Sequence, residues 1–227
     1  MKKFFINIII FLFFSSNLNA NISHYKNFKK IEMEIFRNNK LIGFNNYSFK
    51  SNKNNLIVTN QIEIVVKLLG TTIFDVKGYG EEKYNNDELI SFNSKTRQNK
   101  KEKFVNLKLN KKTNKFIIEG SSFSGEAKTK NVIGNWWNYE LLKAESQISP
   151  VSGSIKKQVV TFIGNEKIKL YGKTYDVEHY KLISKKKDIP KNKKLNFDIW
   201  FHKKTRLILK VKYSKMGEWE YRIKNFE

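Results

Sequence analysis

From residue 29 to residue 227, apolar and polar residues alternate in short runs. In the run 56–69, for example, Ile62, Ile64 and Val66 occupy alternate positions and Glu63 lies between the first two. Successive side chains of a β-strand point to opposite faces, so a period of two predicts strands that bury one face. The pattern therefore predicts a chain built almost entirely of β-strands.

Short polar segments separate these runs. The pair Asn38-Asn39 follows the first run, and asparagine tolerates the positive φ that a tight hairpin turn requires. Further turns are predicted at residues 52–55, 85–87, 99–102, 111–114, 172–173 and 215–217. Strands joined by such short turns predict an antiparallel meander rather than a parallel sheet with crossover helices.

Two features of the second half modify this simple pattern. Segments 157–164 and 167–171 are predicted as two separate strands, because glycine and polar residues interrupt the apolar run between them. Residues 136–144 contain good helix formers, and Asn135 could cap them, so this segment predicts one short helix.

Together these elements predict an all-β fold. We expect a single strongly curved antiparallel meander, an open half-barrel, with one short helix near residues 136–144. A β-sandwich is the alternative, because several short strands at regular spacing are also typical of that fold.

The first twenty residues have the order of a signal peptide. Lys2 and Lys3 precede an apolar run over residues 4–14, and small and polar residues lead to Ala20. The apolar run is too short for a membrane-spanning helix, which needs about 20 residues. We therefore expect cleavage near Ala20, export to the periplasm, and a soluble mature protein in which residues 21–227 form a single β domain.

The absence of cysteine excludes several kinds of protein. With no cysteine in 227 residues, the chain cannot be acylated as a lipoprotein and has neither disulfides nor thiolate chemistry.

The net charge is +23, but 40 of the 44 basic residues are lysine and only four are arginine. Arginine is the preferred residue for phosphate and base recognition, so we expect no nucleic-acid partner. A lysine-coated surface could instead attract an anionic membrane.

Aromatic residues concentrate in the second half and supply the candidate ligand-binding residues. These are Trp136, Trp137, Tyr139, Trp200 and Trp219. On a curved sheet, such side chains could line an apolar concave face that holds a lipid-like ligand. Ordinary core packing is the alternative, because β-sheets favour aromatic residues in any case.

Histidines offer the first candidate for chemistry. His179 and His202 lie on neighbouring predicted strands, with Glu178 and Asp198 close in sequence. Two histidines and a carboxylate could bind a metal or transfer protons, but no His-x-x-x-His or Glu-x-x-His spacing supports this. We therefore expect structural histidines, with no metal and no cofactor.

Carboxylates offer the second candidate. Glu81, Glu82, Asp87 and Glu88 cluster around a predicted turn. Acidic residues that flank a hairpin are usually solvated, so no catalytic pair is predicted here.

The sequence thus favours a non-enzymatic binding module. An envelope protein that docks partners through its sheet edges or its basic surface is the alternative.

Several motifs, in this order, resemble an exported bacterial family known as domain of unknown function 6134. They are Gly80-Glu81-Glu82 with Leu89, Ser94-Lys95-Thr96-Arg97-Gln98-Asn99, Trp136-Trp137, Ser149-Pro150-Val151-Ser152-Gly153, Asp198-Ile199-Trp200-Phe201-His202, and Gly217 with Tyr221. The resemblance covers nearly all of residues 21–227. One position departs from the family pattern, because His202 stands where the pattern has an acidic residue. The resemblance implies an exported β-sheet protein and supplies no catalytic residues.

Overall fold

A computed structural model describes residues 22–190 and 193–227 of the chain. These residues form one large curved sheet of 15 strands. Every neighbouring pair is antiparallel except β9 and β10, which are parallel. The predicted all-β open half-barrel is therefore confirmed, and the sandwich is not observed. The predicted signal peptide lies outside the described residues.

The strands alternate with tight turns along the chain. They are β1 (Lys30–Arg37), β2 (Lys40–Asn52), β3 (Asn55–Leu68), β4 (Thr71–Asn85), β5 (Glu88–Gln98), β6 (Lys101–Asn110), β7 (Lys115–Gly120), β8 (Phe123–Lys128), β9 (Val132–Ile133), β10 (Ser146–Ile148), β11 (Ile155–Leu170), β12 (Lys173–Ser184), β13 (Asn196–His202), β14 (Leu207–Ser214) and β15 (Glu218–Phe226). Two short 3₁₀ helices complete the described part of the chain, η1 (Ser23–Asn27) and η2 (Tyr139–Leu142).

The sheet consists of two meanders joined at its centre. Strands β1 to β8 follow one another outward in chain order on one side, and β15 back to β9 do so on the other. The junction is the pair β1 and β15, where Ile31 lies opposite Phe226. The described ends of the chain thus lie in the middle of the sheet, and its edges come from the middle of the sequence.

The tight turns have the backbone conformations that their residues predict. Asn38 and Asn39 adopt φ values of 47° and 62°, and Asn86 and Asp87 adopt 47° and 66°. Two consecutive left-handed residues define the turn whose twist matches that of the flanking strands. The two strands predicted over 157–164 and 167–171 are instead the single strand β11, in which Gly164 follows a bulge.

The helix prediction for residues 136–144 is too long. The segment forms only η2, a 3₁₀ helix of four residues over Tyr139–Leu142. Asn138, and not Asn135, caps it, because the side chain of Asn138 accepts a hydrogen bond from the backbone nitrogen of Glu140 at 3.0 Å.

Residues 129–154, which connect β8 to β11, pack against the concave face and are called the plug. Ile133, Leu141 and Ile148 of the plug are all buried. At the far end of the segment, the backbone nitrogen of Ser122 donates to the carbonyl oxygen of Ser152 at 3.0 Å. The plug therefore fills much of the concavity that the curved sheet creates.

The helix η1 bridges two distant turns. Ser23 donates to the carboxylate of Asp87 in the β4–β5 turn at 2.5 Å. Tyr25 donates to the carbonyl oxygen of Arg206 in the β13–β14 turn at 3.0 Å. Because these turns belong to opposite halves of the sheet, η1 spans the concavity between them.

Candidate functional site

The plug is held in place by Trp137, one of the five aromatic residues predicted as a ligand contact. Its side chain is 1% exposed, and its indole nitrogen donates to the carboxylate of Glu82 on β4 at 2.8 Å. The ring makes edge contacts with Tyr25, Phe49 and Tyr84, at centroid distances of 4.9, 5.5 and 6.0 Å. Trp137 is thus a core residue that joins the plug, η1 and the sheet.

Glu82 is the centre of this network. Besides Trp137, the amide of Asn135 donates to it at 2.6 Å and the hydroxyl of Tyr84 at 2.5 Å. The prediction that Glu82 is solvated is wrong, because its strand position points it to the concave face, where it is 2% exposed. Burial raises the pKa of Glu82, and the three hydrogen bonds only partly oppose that shift.

The raised pKa of Glu82 makes stability depend on pH. The folded protein holds this proton more tightly than the unfolded chain, where the ordinary pKa is 4.5. The stability that Glu82 contributes is therefore complete below the unfolded pKa and is lost as pH rises through the folded pKa. We expect E82Q to remove this loss. Urea unfolding across that pH range should give a falling free energy of unfolding for the wild type relative to E82Q, and parallel curves would contradict the prediction.

Trp136 lies beside the core rather than in it. It is only partly buried, and its backbone nitrogen donates to the hydroxyl of Tyr47 at 3.2 Å. Its ring contacts Phe197 and Tyr221 at centroid distances of 5.1 and 6.1 Å. Of the two adjacent tryptophans, Trp137 anchors the plug and Trp136 faces the remaining free space.

That space is a cavity of about 160 Å³ between the plug and the inner face of β2 to β5. Its lining is uncharged and combines apolar and aromatic side chains with amides and hydroxyls. The residues are Asn45, Tyr47, Asn60, Ile62, Gly78, Tyr79, Gly80, Phe92, Ser94, Thr96, Gly134, Asn135, Trp136, Pro150, Val151 and Tyr221. A Cβ atom at Gly78 would lie 3.0 Å from the hydroxyl of Thr96 and 3.0 Å from the side chain of Ile62, so a larger residue here would crowd two side chains of the cavity wall.

Most polar groups of the cavity bond to one another. Asn45 donates to Tyr47 at 2.7 Å, and Asn60 donates to the side-chain oxygen of Asn45 at 2.6 Å. Ser94 donates to the carbonyl oxygen of Pro150 in the plug at 2.6 Å. Within the described part of the chain, the hydroxyl of Thr96 and the side-chain oxygen of Asn60 have no hydrogen-bond partner. These two atoms could bond to a ligand.

The other three aromatic candidates lie elsewhere. Tyr139 is buried in the plug and stacks on Phe201 at 5.5 Å. Trp219 stacks on Tyr213 at 5.7 Å and meets Phe74, from the opposite meander, edge-on at 6.0 Å. Of the five candidates, only Trp136 lines the cavity. Trp219 lies on the concave face, where it contacts Phe74 of the opposite meander.

Trp200 lies on the opposite, outer face of β13. It stacks on His179 at a centroid distance of 4.6 Å and donates to Glu166 at 2.8 Å. The two ring nitrogens of His179 lie 2.8 Å from Glu166 and 3.1 Å from Asp198. Hydrogen bonds from Trp200 and then His179 lower the pKa of Glu166. His179 is thus held between two carboxylates on the outer face.

The expected neighbourhood of the histidines is only partly observed. His179 meets Asp198 but not Glu178, and His202 instead lies 2.8 Å from the hydroxyl of Thr205. Burial, followed by the charge of Lys204, lowers the pKa of His202. Among residues 22–190 and 193–227, no group of histidine and acidic side chains has an arrangement that could hold a metal ion.

A wider, open groove of about 490 Å³ runs beside the β11–β12 hairpin. Its lining mixes both signs of charge, with Glu166, Asp176 and Glu178 facing Lys203 and Lys204. Lys203 and Glu178 already form an ion pair at 2.6 Å. The groove therefore lacks the uncharged, partly apolar lining of the concave cavity, and we take the latter as the candidate site.

The fold and the site define an all-β protein with one open, barrel-like sheet, an internal plug and a small uncharged cavity. The chain belongs to the family described as Domain of unknown function (DUF6134), whose model matches residues 33–224. No curated protein is significantly similar to the chain in sequence. No helix in the described residues combines the length and apolarity needed to span a bilayer.

The fold is similar to that of a solved structure. It is a β-barrel-like protein of domain of unknown function DUF1849 from Brucella abortus. The TM-score is 0.58 at 9% sequence identity, and the match covers 87% of this chain and 96% of that chain. At this identity the likeness concerns the fold alone.

Proposed function

We propose that this protein is a non-enzymatic binding module that holds an uncharged, lipid-like ligand in the concave cavity beside Trp136. The observation that carries the proposal is the cavity itself, which remains between the plug and the inner face of the sheet although the plug fills much of the concavity. Ligand sites combine apolar walls with a few well-placed polar groups, and this lining has that composition.

Size and charge restrict the ligand. Pockets for drug-sized molecules have volumes of about 300–1,000 Å³, whereas this cavity measures about 160 Å³. It would therefore take a narrow portion of a ligand, such as part of an acyl chain. Transferring an unpaired charge into such a site is unfavourable, so a lining without charged side chains favours a neutral ligand.

The free polar atoms suggest how such a ligand is oriented. The hydroxyl of Thr96 and the side-chain oxygen of Asn60 would bond to a hydroxyl or amide at its polar end. The apolar portion would lie against the ring of Trp136. We further propose that this binding takes place in the periplasm, after removal of the predicted signal peptide.

A displacement experiment tests this function with defined probes. We expect the neutral fluorescent amine N-phenyl-1-naphthylamine to bind, and dodecanol to displace it at least about tenfold more effectively than dodecanoate. The reason is that the dodecanoate carboxylate would be desolvated without a cationic partner in the cavity. Equal displacement by the two compounds, or no probe binding, would reject the proposed ligand class.

Variants locate the site. W136A should weaken binding of both the probe and dodecanol, because it removes an apolar wall of the cavity. T96V should weaken dodecanol binding by about fivefold, since it removes one hydrogen bond of roughly 1 kcal/mol, and should leave the probe unaffected. The matched control is T174V, which changes an exposed threonine of β12. If W136A and T96V bind as the wild type does, the ligand lies elsewhere.

A further inference from the structure

Strand β11 has an unpaired edge. It is 16 residues long and pairs with β12 on one side from Gln158 to Leu170. On its other side, β10 covers only Ile155, Lys156 and Lys157. From residue 158 onward, no strand within residues 22–190 and 193–227 pairs with that side. In the part of the chain that the structure describes, this side of β11 therefore has no neighbouring strand after Lys157.

Two hydrogen bonds show which backbone groups point to this edge. The carbonyl oxygen of Lys157 accepts from the nitrogen of Lys185 at 3.0 Å, on the β12 side. The nitrogen of Gln158 donates to the carbonyl oxygen of Glu145 at 2.8 Å, on the β10 side. Successive residues of a strand direct their backbone groups to opposite sides, so even-numbered residues before the bulge face the open side.

The stretch concerned is both apolar and exposed. Val160 and Phe162 are the even-numbered residues that follow, and the bulge between Phe162 and Gly164 ends the regular stretch. Val159, Phe162 and Ile163 are 41%, 49% and 55% exposed. An exposed apolar edge strand is a template for pairing with another chain.

We propose that residues 158–163 accept an extended acidic segment of a partner protein as an added antiparallel strand, collinear with β10. Main-chain hydrogen bonds to Val160 and Phe162 would supply affinity, as in other cases of strand addition. Apolar side chains at alternate positions of the partner would cover Val159 and Ile163.

The charges around the edge select an acidic occupant. Lys157 lies at the start of the stretch, and Lys185, Lys186 and Lys187 follow the paired strand β12; all four are exposed. Glu145, the nearest acidic residue of the plug, is already paired with Lys130 at 3.0 Å. A second copy of this chain, with its net charge of +23, would meet strong repulsion at the same edge.

Two synthetic decapeptides serve as probes, one alternating valine with glutamate and the other alternating valine with lysine. We expect the acidic peptide to bind the full mature protein, measured by fluorescence anisotropy, and the basic peptide to bind at least about tenfold more weakly. Hydrogen exchange at the amides of Val160 and Phe162 should slow on binding of the acidic peptide.

Two variants change the edge in different ways. V160P removes one edge donor without breaking a bond to β12, and V159E places a negative charge at the exposed edge. Each should weaken acidic-peptide binding by about tenfold or more. The matched control is L69E, which makes the same charge change at a side chain that is 98% exposed in the β3–β4 turn, and it should bind as the wild type does. If V160P does not fold, the comparison of acidic-peptide binding by V159E and by L69E tests the proposal alone.

Three results would overturn the proposal. The first is equal binding of the acidic and basic peptides. The second is undiminished binding by folded V160P and V159E, or protection from exchange at some other strand. The third is a wild-type dimer that V160P converts to a monomer, since the occupant would then be a second copy of this chain.

Discussion

Replacement of Trp137 by alanine is expected to lower the free energy of unfolding by about 3–5 kcal/mol. The side chain is 1% exposed, and its contacts join three parts of the molecule: the plug, η1 and the inner face of the sheet. Removing the indole would leave a cavity among Tyr25, Phe49 and Tyr84, and would take one donor from Glu82. Equilibrium unfolding in urea, followed by circular dichroism, measures the effect.

Two comparisons separate packing from hydrogen bonding. W137F retains most of the ring but loses the indole nitrogen, so we expect a smaller loss than for W137A. W136A removes the adjacent, partly buried tryptophan and should destabilise the protein much less than W137A. If W136A and W137A have equal effects, Trp137 does not anchor the plug in the way its contacts indicate.

Replacement of Glu82 by alanine is the second large effect we expect. The change leaves the indole of Trp137, the amide of Asn135 and the hydroxyl of Tyr84 without their acceptor. A buried polar group without a partner costs about 1–3 kcal/mol, so the free energy of unfolding should fall by about 3 kcal/mol or more. Urea unfolding of E82A against the wild type measures this loss.

The neighbouring carboxylate provides the control. Glu81 lies on the other face of β4, where it forms a partly exposed ion pair with Lys83 at 3.1 Å. Such pairs contribute about 0–1 kcal/mol, so E81A should change stability little. Similar losses for E81A and E82A would mean that the buried network around Glu82 does not hold the plug.

Much of the fold could be predicted from the sequence, because its strands and turns are determined locally. Side-chain alternation marks the strands, and asparagine at positive φ marks turns such as those at Asn38 and Asn86. The error in β11 has a local cause as well. Gly164 interrupts the alternation, but a bulge absorbs the interruption and the strand continues to Leu170.

The plug was harder to predict, because tertiary contacts determine its structure. Asn135 precedes helix formers and so looks like a cap, but its amide donates to Glu82 and the backbone turns only at Asn138. The helix formers that follow pack among strands and form a single 3₁₀ turn. Local propensity is a weak guide wherever contacts distant in sequence compete with it.

The burial of Glu82 did leave a signal in the sequence. Gly78, Gly80, Glu82 and Tyr84 share one face of β4, and a face that contains two glycines and a tyrosine is unlike a solvated one. By contrast, the aromatic content of the second half could not separate inner from outer positions. Trp200 lies on the outer face together with Asp198, because it alternates with Ile199 and Phe201, and aromatic content alone does not give this alternation.

The junction between β1 and β15 restricts the order in which the sheet can form. During folding, the hairpins from β1 to β8 can form early, because each strand pairs with the next along the chain. The second edge of β1 must wait for β15, the last of the strands, and pairings so distant in sequence form slowly. Until then a long central edge is exposed, and such edges promote aggregation. The centre of the sheet is therefore closed only when the nine residues of β15 pair with β1.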